Sequence, residues 1–164
     1  MTRQPDHCLY PTPASTHPRC RQILSEAFQC NPDSEDVWVA AFKLEFENNE
    51  PQRAKLLLQK ARETESASTP RVWMKSALVE RELGDIPALR SILNQGLARY
   101  PTYWKLWLML GQVEEQQGAL DAARQAYVQG VKHCMDNVPL WTNYAGLEER
   151  AGGWCSESNQ ASSC

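Results

Sequence analysis

Four tryptophans, each followed seven residues later by a glutamate, are the feature that most narrows what this chain can fold into. Trp38, Trp73, Trp107 and Trp141 are spaced 35, 34 and 34 residues apart, and the glutamates are Glu45, Glu80, Glu114 and Glu148. Self-similarity at a fixed period of this size marks a helical solenoid, whose units bury their apolar faces only by stacking on one another. With Trp107 taken as position zero, the copy from Lys105 to Val131 places Gly118 at eleven, Ala123 at sixteen, Arg124 at seventeen, Tyr127 at twenty and Gly130 at twenty-three. The expected fold is all-α, a right-handed α-α superhelical solenoid of helical hairpins.

Each copy reads as two helices. Trp38, Ala41, Phe42 and Glu45 fall on one face at a period of 3.6, and Ala54, Leu57, Leu58 and Ala61 line the helix that follows. Ser34 stands where a cap is wanted, and Pro51 and Pro70 stand near new helix starts, where a missing N–H costs little. The second copy turns at Gly84-Asp85 and continues through Leu89, Ile92, Leu93, Gly96 and Leu97. Gly96 and Gly130 share a slot with Ala61, which points to close helix approach rather than to helix breaks.

The grid also divides the chain. Complete repeats are expected over residues 35–68, 69–101 and 102–137. Counting back from Trp38 puts Arg21, Leu24 and Ala27 at seventeen, twenty and twenty-three, so residues 21–30 form a half-repeat of second-helix type. Residues 138–150 form a half-repeat of first-helix type, completing a repeat domain over 21–150. Residues 1–20, with Pro5, Pro11, Pro13 and Pro18, read as a flexible lead, and residues 151–164 as a disordered tail. An array that opens and closes on half-repeats is expected to be a piece of a larger solenoid, leaving Trp141 and Leu147 short of packing.

A glutamate on the buried face needs a partner. Ten residues after the glutamate of every complete copy comes a basic residue, Lys55 after Glu45, Arg90 after Glu80 and Arg124 after Glu114, so an ion pair within each hairpin is expected. Chemistry that recurred identically in every repeat would be unusual for a catalytic site, and these acids read as structural. The tryptophans read as core rather than as stacking platforms for single-stranded RNA. Tyr103 and Trp104 stand off the grid and are the candidate partner contacts.

Other chemistry finds no foothold. His7, Cys8, His17, Cys20 and Cys30 lack the short Cys-x₂₋₄-Cys element of most structural zinc sites, and no phosphate loop, nucleophile elbow or His-Glu-x-x-His occurs. No cofactor, metal or catalytic residue is expected, and the chain reads as a non-enzyme. A net charge of -3 argues against a phosphate backbone as the main partner. The first residues lack the apolar core of a secretory signal, and no apolar window is long enough for a membrane span, so a cytosolic or nuclear protein with reduced cysteines is expected.

Trp at zero, Ala at sixteen, a large apolar residue at twenty and Ala or Gly at twenty-three resemble a tetratricopeptide repeat (TPR). Glutamate at seven with a basic residue at seventeen resembles its relative, the half-a-tetratricopeptide (HAT) repeat of RNA-processing proteins. Within that group, the run from Leu106 to Gln116, with Ala123 to Gly130 and Pro139-Leu140-Trp141, is similar to the pre-mRNA-processing factor 6 family. That resemblance covers residues 22 to 150 and implies a nuclear scaffold of the splicing machinery. Its implied partners are spliceosomal snRNP proteins in tri-snRNP assembly, with RNA contacted indirectly and no membrane or small-molecule substrate. Direct RNA binding by the solenoid and a TPR-type chaperone adaptor are the alternatives.

Overall fold

The computed structural model describes residues 18–64 and 66–151. Among them every regular element is a helix: α1 (Pro18–Cys30), α2 (Glu35–Glu47), α3 (Pro51–Glu63), α4 (Pro70–Leu83), α5 (Ile86–Arg99), α6 (Trp104–Gln116), α7 (Leu120–His133) and α8 (Val138–Arg150). They fall into two compact units, Met1–Leu83 with α1 to α4 and Gly84–Cys164 with α5 to α8. The helix already begins at Pro18, so residues 18–20 belong to α1 rather than to the lead. The rest of that lead and the tail beyond Ala151 lie outside the described residues, as do His7, Cys8 and His17. Cys20 is half-buried and Cys30 exposed, both free thiols.

Local chemistry explains the helix limits. Pro51 and Pro70 open α3 and α4. The Asp85 carboxylate caps α5 by accepting the Ala88 N–H at 3.0 Å. Ser34 does hold the cap position of α2, yet its hydroxyl makes no cap bond; Glu35 and Asp36 in the first turn meet the positive helix end instead. Position eleven takes the same unusual backbone conformation in all three complete copies. Asn49, Gly84 and Gly118 have φ of 56, 74 and 74°, a left-handed conformation that glycine adopts freely and asparagine tolerates.

In the first unit, Phe42, Ala54, Leu58, Ala61, Val72 and Val79 form the core from α2, α3 and α4, with Trp38, Val39 and Phe46 half-buried against it. In the second, Ala123, Tyr127, Val131, Leu140 and Leu147 do so from α7 and α8, with Trp104, Trp107, Leu108 and Tyr144 alongside. The small and large slots at sixteen, twenty and twenty-three are therefore core, as expected. The first helices, however, bury a stripe one residue off the Trp/Glu line. Val72 and Val79, Leu106 and Val113, and Leu140 and Leu147 are the deepest pairs, at positions minus one and six.

Trp38 and Trp107 correspondingly lie shallower than expected, while Trp141 lacks packing as anticipated. Trp73 is 5% exposed, but Trp141 is 48% exposed, and Trp38 and Trp107 are intermediate. Leu147, expected to lack packing, is fully buried. Two glycines in the second unit mark close approach. A Cβ at Gly111 would run into the Tyr127 ring, and one at Gly130 would lie 2.8 Å from the Trp107 Cβ.

Candidate protein-interaction surface

The four glutamates at position seven are all ion-paired, but not with the residues expected. Arg21 donates to both oxygens of Glu45 at 2.8 and 2.6 Å. Lys55 reaches Glu80 at 2.8 Å, and Arg90 grips Glu114 at 2.7 and 2.5 Å. Arg124 grips Glu148 at 2.5 and 3.1 Å. Each cation thus lies 24 or 25 residues before its acid, on the preceding second helix: Lys55, Arg90 and Arg124, expected to pair with Glu45, Glu80 and Glu114, bind Glu80, Glu114 and Glu148 instead.

Helix geometry gives the reason. In the α6–α7 hairpin, Trp107 and Gly111, at zero and four, meet Gly130 and Tyr127 on α7. Position seven lies further round α6, beside the deep stripe of Leu106 and Val113, and that side faces α5. The Glu148 carboxyl is held below its ordinary pKa chiefly by the Arg124 hydrogen bond, and the Arg21 guanidinium is pushed up chiefly by its bond to Glu45.

The tryptophans have a second duty that spacing alone did not reveal. The indole N–H groups of Trp38, Trp107 and Trp141 donate to the carbonyls of Pro32, Pro101 and Met135, six residues earlier, at 2.9, 2.8 and 2.8 Å. Trp73 donates to Ser68 Oγ at 3.1 Å instead. Each ring therefore ties its helix to the turn before it. Arg62 covers the Trp73 ring, and the His133 imidazole stacks on Trp107 with centroids 5.7 Å apart. A ring so occupied is a poor platform for a base.

Of the two off-grid aromatics, Tyr103 is the half-buried N-cap residue of α6. Trp104 is half-buried against the second core, with the Lys105 ammonium 5.6 Å from its ring centroid. The large apolar side chains that do meet solvent are others: Ile23 and Leu56 in the first unit, and Leu120, Met135, Val138 and Trp141 in the second. A 260 Å³ pocket in the first unit is lined by Leu24, Phe28, Ala41, Leu44 and Leu57, with the Arg21–Glu45 pair in its wall.

Further ion pairs join first helices. Arg71 of α4 lies 3.2 Å from Glu35 and 3.5 Å from Asp36 of α2, and Arg150 of α8 binds Glu115 of α6. Tyr127, with its hydroxyl beside Glu115, has its pKa pushed up to about 12, chiefly by burial. Among the described residues no group of three or more His, Cys, Asp or Glu side chains is arranged to hold a metal, and no helix is long and apolar enough to cross a membrane. The arrangement offers apolar patches and pinned charges, which suits binding to another protein surface.

Comparison with known proteins agrees with this geometry. Protein STABILIZED1 of Arabidopsis thaliana is 57% identical over 56 residues, a match covering 34% of this chain and 5% of that protein. Among solved structures, MamA superposes with a TM-score of 0.63 at 15% identity, over 80% of this chain and 76% of that one. The first TPR domain of human RPAP3 gives 0.61 at 15%, over 74% and 95%. The human IFIT1 dimer with m7Gppp-AAAA gives 0.61 at 16%, over 80% and 33%. At such identities the likeness to these structures is one of fold, that of a TPR-like helical repeat. The family model described as the PRP39 N-terminal HAT repeat matches residues 62–161, more than half of the sequence, and the chain belongs to that HAT-repeat family.

Proposed function

We propose that this chain is a non-catalytic scaffold of the nuclear pre-mRNA splicing machinery, presenting its helical-repeat surface to spliceosomal proteins during tri-snRNP assembly. The observation that carries a protein partner rather than a nucleic acid is the state of the repeated cations. Arg21, Lys55, Arg90 and Arg124 are each committed to a carboxylate, so the basic position present in every second helix is neutralised. A phosphate backbone would have to break those pairs. HAT-repeat membership and the resemblance of Leu106 to Gln116 to pre-mRNA-processing factor 6 support the splicing assignment.

The test is capture of partners from nuclear extract by the immobilised chain, with and without ribonuclease. Spliceosomal proteins retained after ribonuclease are expected. Recovery of none of them from untreated extract contradicts the proposal, and recovery only when RNA is intact supports the runner-up, direct RNA binding.

A further inference from the structure

The exposed apolar residues are not scattered. On α8, Val138, Trp141, Ala145 and Glu149 succeed one another at steps of three and four, form a single stripe, and are all exposed. The same stripe on α6 is Trp104, Trp107, Gly111 and Glu115, and on α2 it is Glu35, Trp38, Phe42 and Phe46. None of those eight is exposed. On α6 the cover is α7, whose Gly130 and Tyr127 meet Trp107 and Gly111. On α8 no described helix takes that place.

The complementary face lies at α1. Its residues at fifteen, nineteen, twenty-three and twenty-six are Arg19, Ile23, Ala27 and Cys30, and all but the half-buried Ala27 are exposed. Ile23 is 57% exposed, whereas Ala126 at the same position of α7 is 5% exposed. The opposite side of α1 is occupied, through Arg21 on Glu45 and Phe28 edge-on to Trp38.

The contacts within the α6–α7 hairpin match position zero with twenty-three and four with twenty. Applied to α8 and α1, that register sets Trp141 on Ala27 and Ala145 on Leu24, and it brings Glu149 opposite Arg19. Small residues meet large ones, and the two charges are opposite in sign. Ala27 also has a precedent, because Ala61 fills the same slot of α3 with full burial.

We propose that the α8 stripe of one copy receives the α1 stripe of a second copy, rebuilding between chains the first-helix/second-helix seam that α2–α3 and α6–α7 make within one chain. The contact is heterologous. Each copy keeps one free face of each kind, so association continues with concentration instead of stopping at a symmetric dimer.

Sedimentation velocity on the full 164-residue chain tests this. The wild type is expected to gain mass steadily with concentration. Ile23→Glu keeps the α8 face and loses the other; Trp141→Glu does the reverse; each alone is expected to stay monomeric, with association weakened at least about tenfold. An equal mixture of the two is expected to form a one-to-one dimer and nothing larger. Val138→Glu stands in for Trp141→Glu should helical circular dichroism show that α8 has melted. Three results overturn the proposal: a wild type monomeric at every concentration, an Ile23→Glu protein that associates like the wild type, as an α8–α8 contact would, or a mixture that remains monomeric.

Discussion

The α2–α3 hairpin of the first unit and the α6–α7 hairpin of the second follow the same grid with the bulk on opposite sides. At positions four and twenty the first sets Phe42 with Leu58, both buried in one core. The second sets Gly111 against Tyr127, whose ring fills the space a side chain at 111 would need. The two seams keep the same register although the bulk is shared by both sides in one and carried by α7 alone in the other. A repeat is defined by which positions meet, and the partition of volume between them is free.

The strongest way to break that comparison is to import the residue of one hairpin into the other. Gly111→Phe is expected to destabilise the second unit by about 3 kcal/mol or more through overpacking against Tyr127. Tyr127→Leu in the same chain, which restores the first unit's combination, is expected to recover most of the loss. Urea unfolding followed by tryptophan fluorescence measures both. A double variant no better than the single one would show that volume is not shared across the seam.

A second contrast concerns the ion pairs. Glu80 is 2% exposed and is held by Lys55, while the side chain of Glu148 is 20% exposed and is held by two donors of Arg124. Lys55→Met strands a buried carboxylate and is expected to cost about 2–4 kcal/mol in urea unfolding. Arg124→Met is expected to cost clearly less, because Glu148 can turn to water. Equal losses at the two sites would mean that burial of the acid does not set the cost.

The smallest expected effect at neutral pH is at Tyr127, and it grows as the pH rises. The Tyr127 hydroxyl titrates near 12 in the folded protein against an ordinary 10.0, so its contribution is complete below about pH 10 and is lost as the pH rises from there through about 12. Tyr127→Phe is expected to change stability at pH 7 by under about 1 kcal/mol, because the 3.5 Å contact to Glu115 is weak. Between pH 10 and 12 the variant is expected to lose less stability than the wild type. Identical pH profiles would contradict the assignment.

Much of this was legible in the spacing. The period, the helical pairs, the turn residues Gly84 and Gly118, and the core slots at Ala54, Leu58, Ala61, Ala123, Tyr127 and Gly130 all follow from residues that recur. The partner of each glutamate did not. Glu114 lies ten residues before Arg124 and 24 after Arg90, and a periodic sequence contains both distances equally. Only the side of the helix that faces the preceding element decides between them, and that is set by packing.

The deep stripe of Val72, Val79, Leu106, Val113, Leu140 and Leu147 was missed for a related reason. Its aliphatic residues are common along the chain, whereas the rarer tryptophan beside them marks a line one residue away. Exposure of Met135 and Val138 was not read from the sequence, although Asp136 and Asn137 between them mark a turn. Trp141 was expected to lack packing, and it does remain 48% exposed.

The central claim is that each repeat is latched to the one before it through the glutamate at seven. Two double-mutant cycles sharing Glu114→Gln test it, one with Arg90→Met and one with Arg124→Met, read by urea unfolding. The structure predicts a coupling of about 1–2 kcal/mol between Glu114 and Arg90, whose side chain is 41% exposed, and none resolvable between Glu114 and Arg124. Coupling to Arg124 with none to Arg90 would contradict the account and restore the pairing within the hairpin.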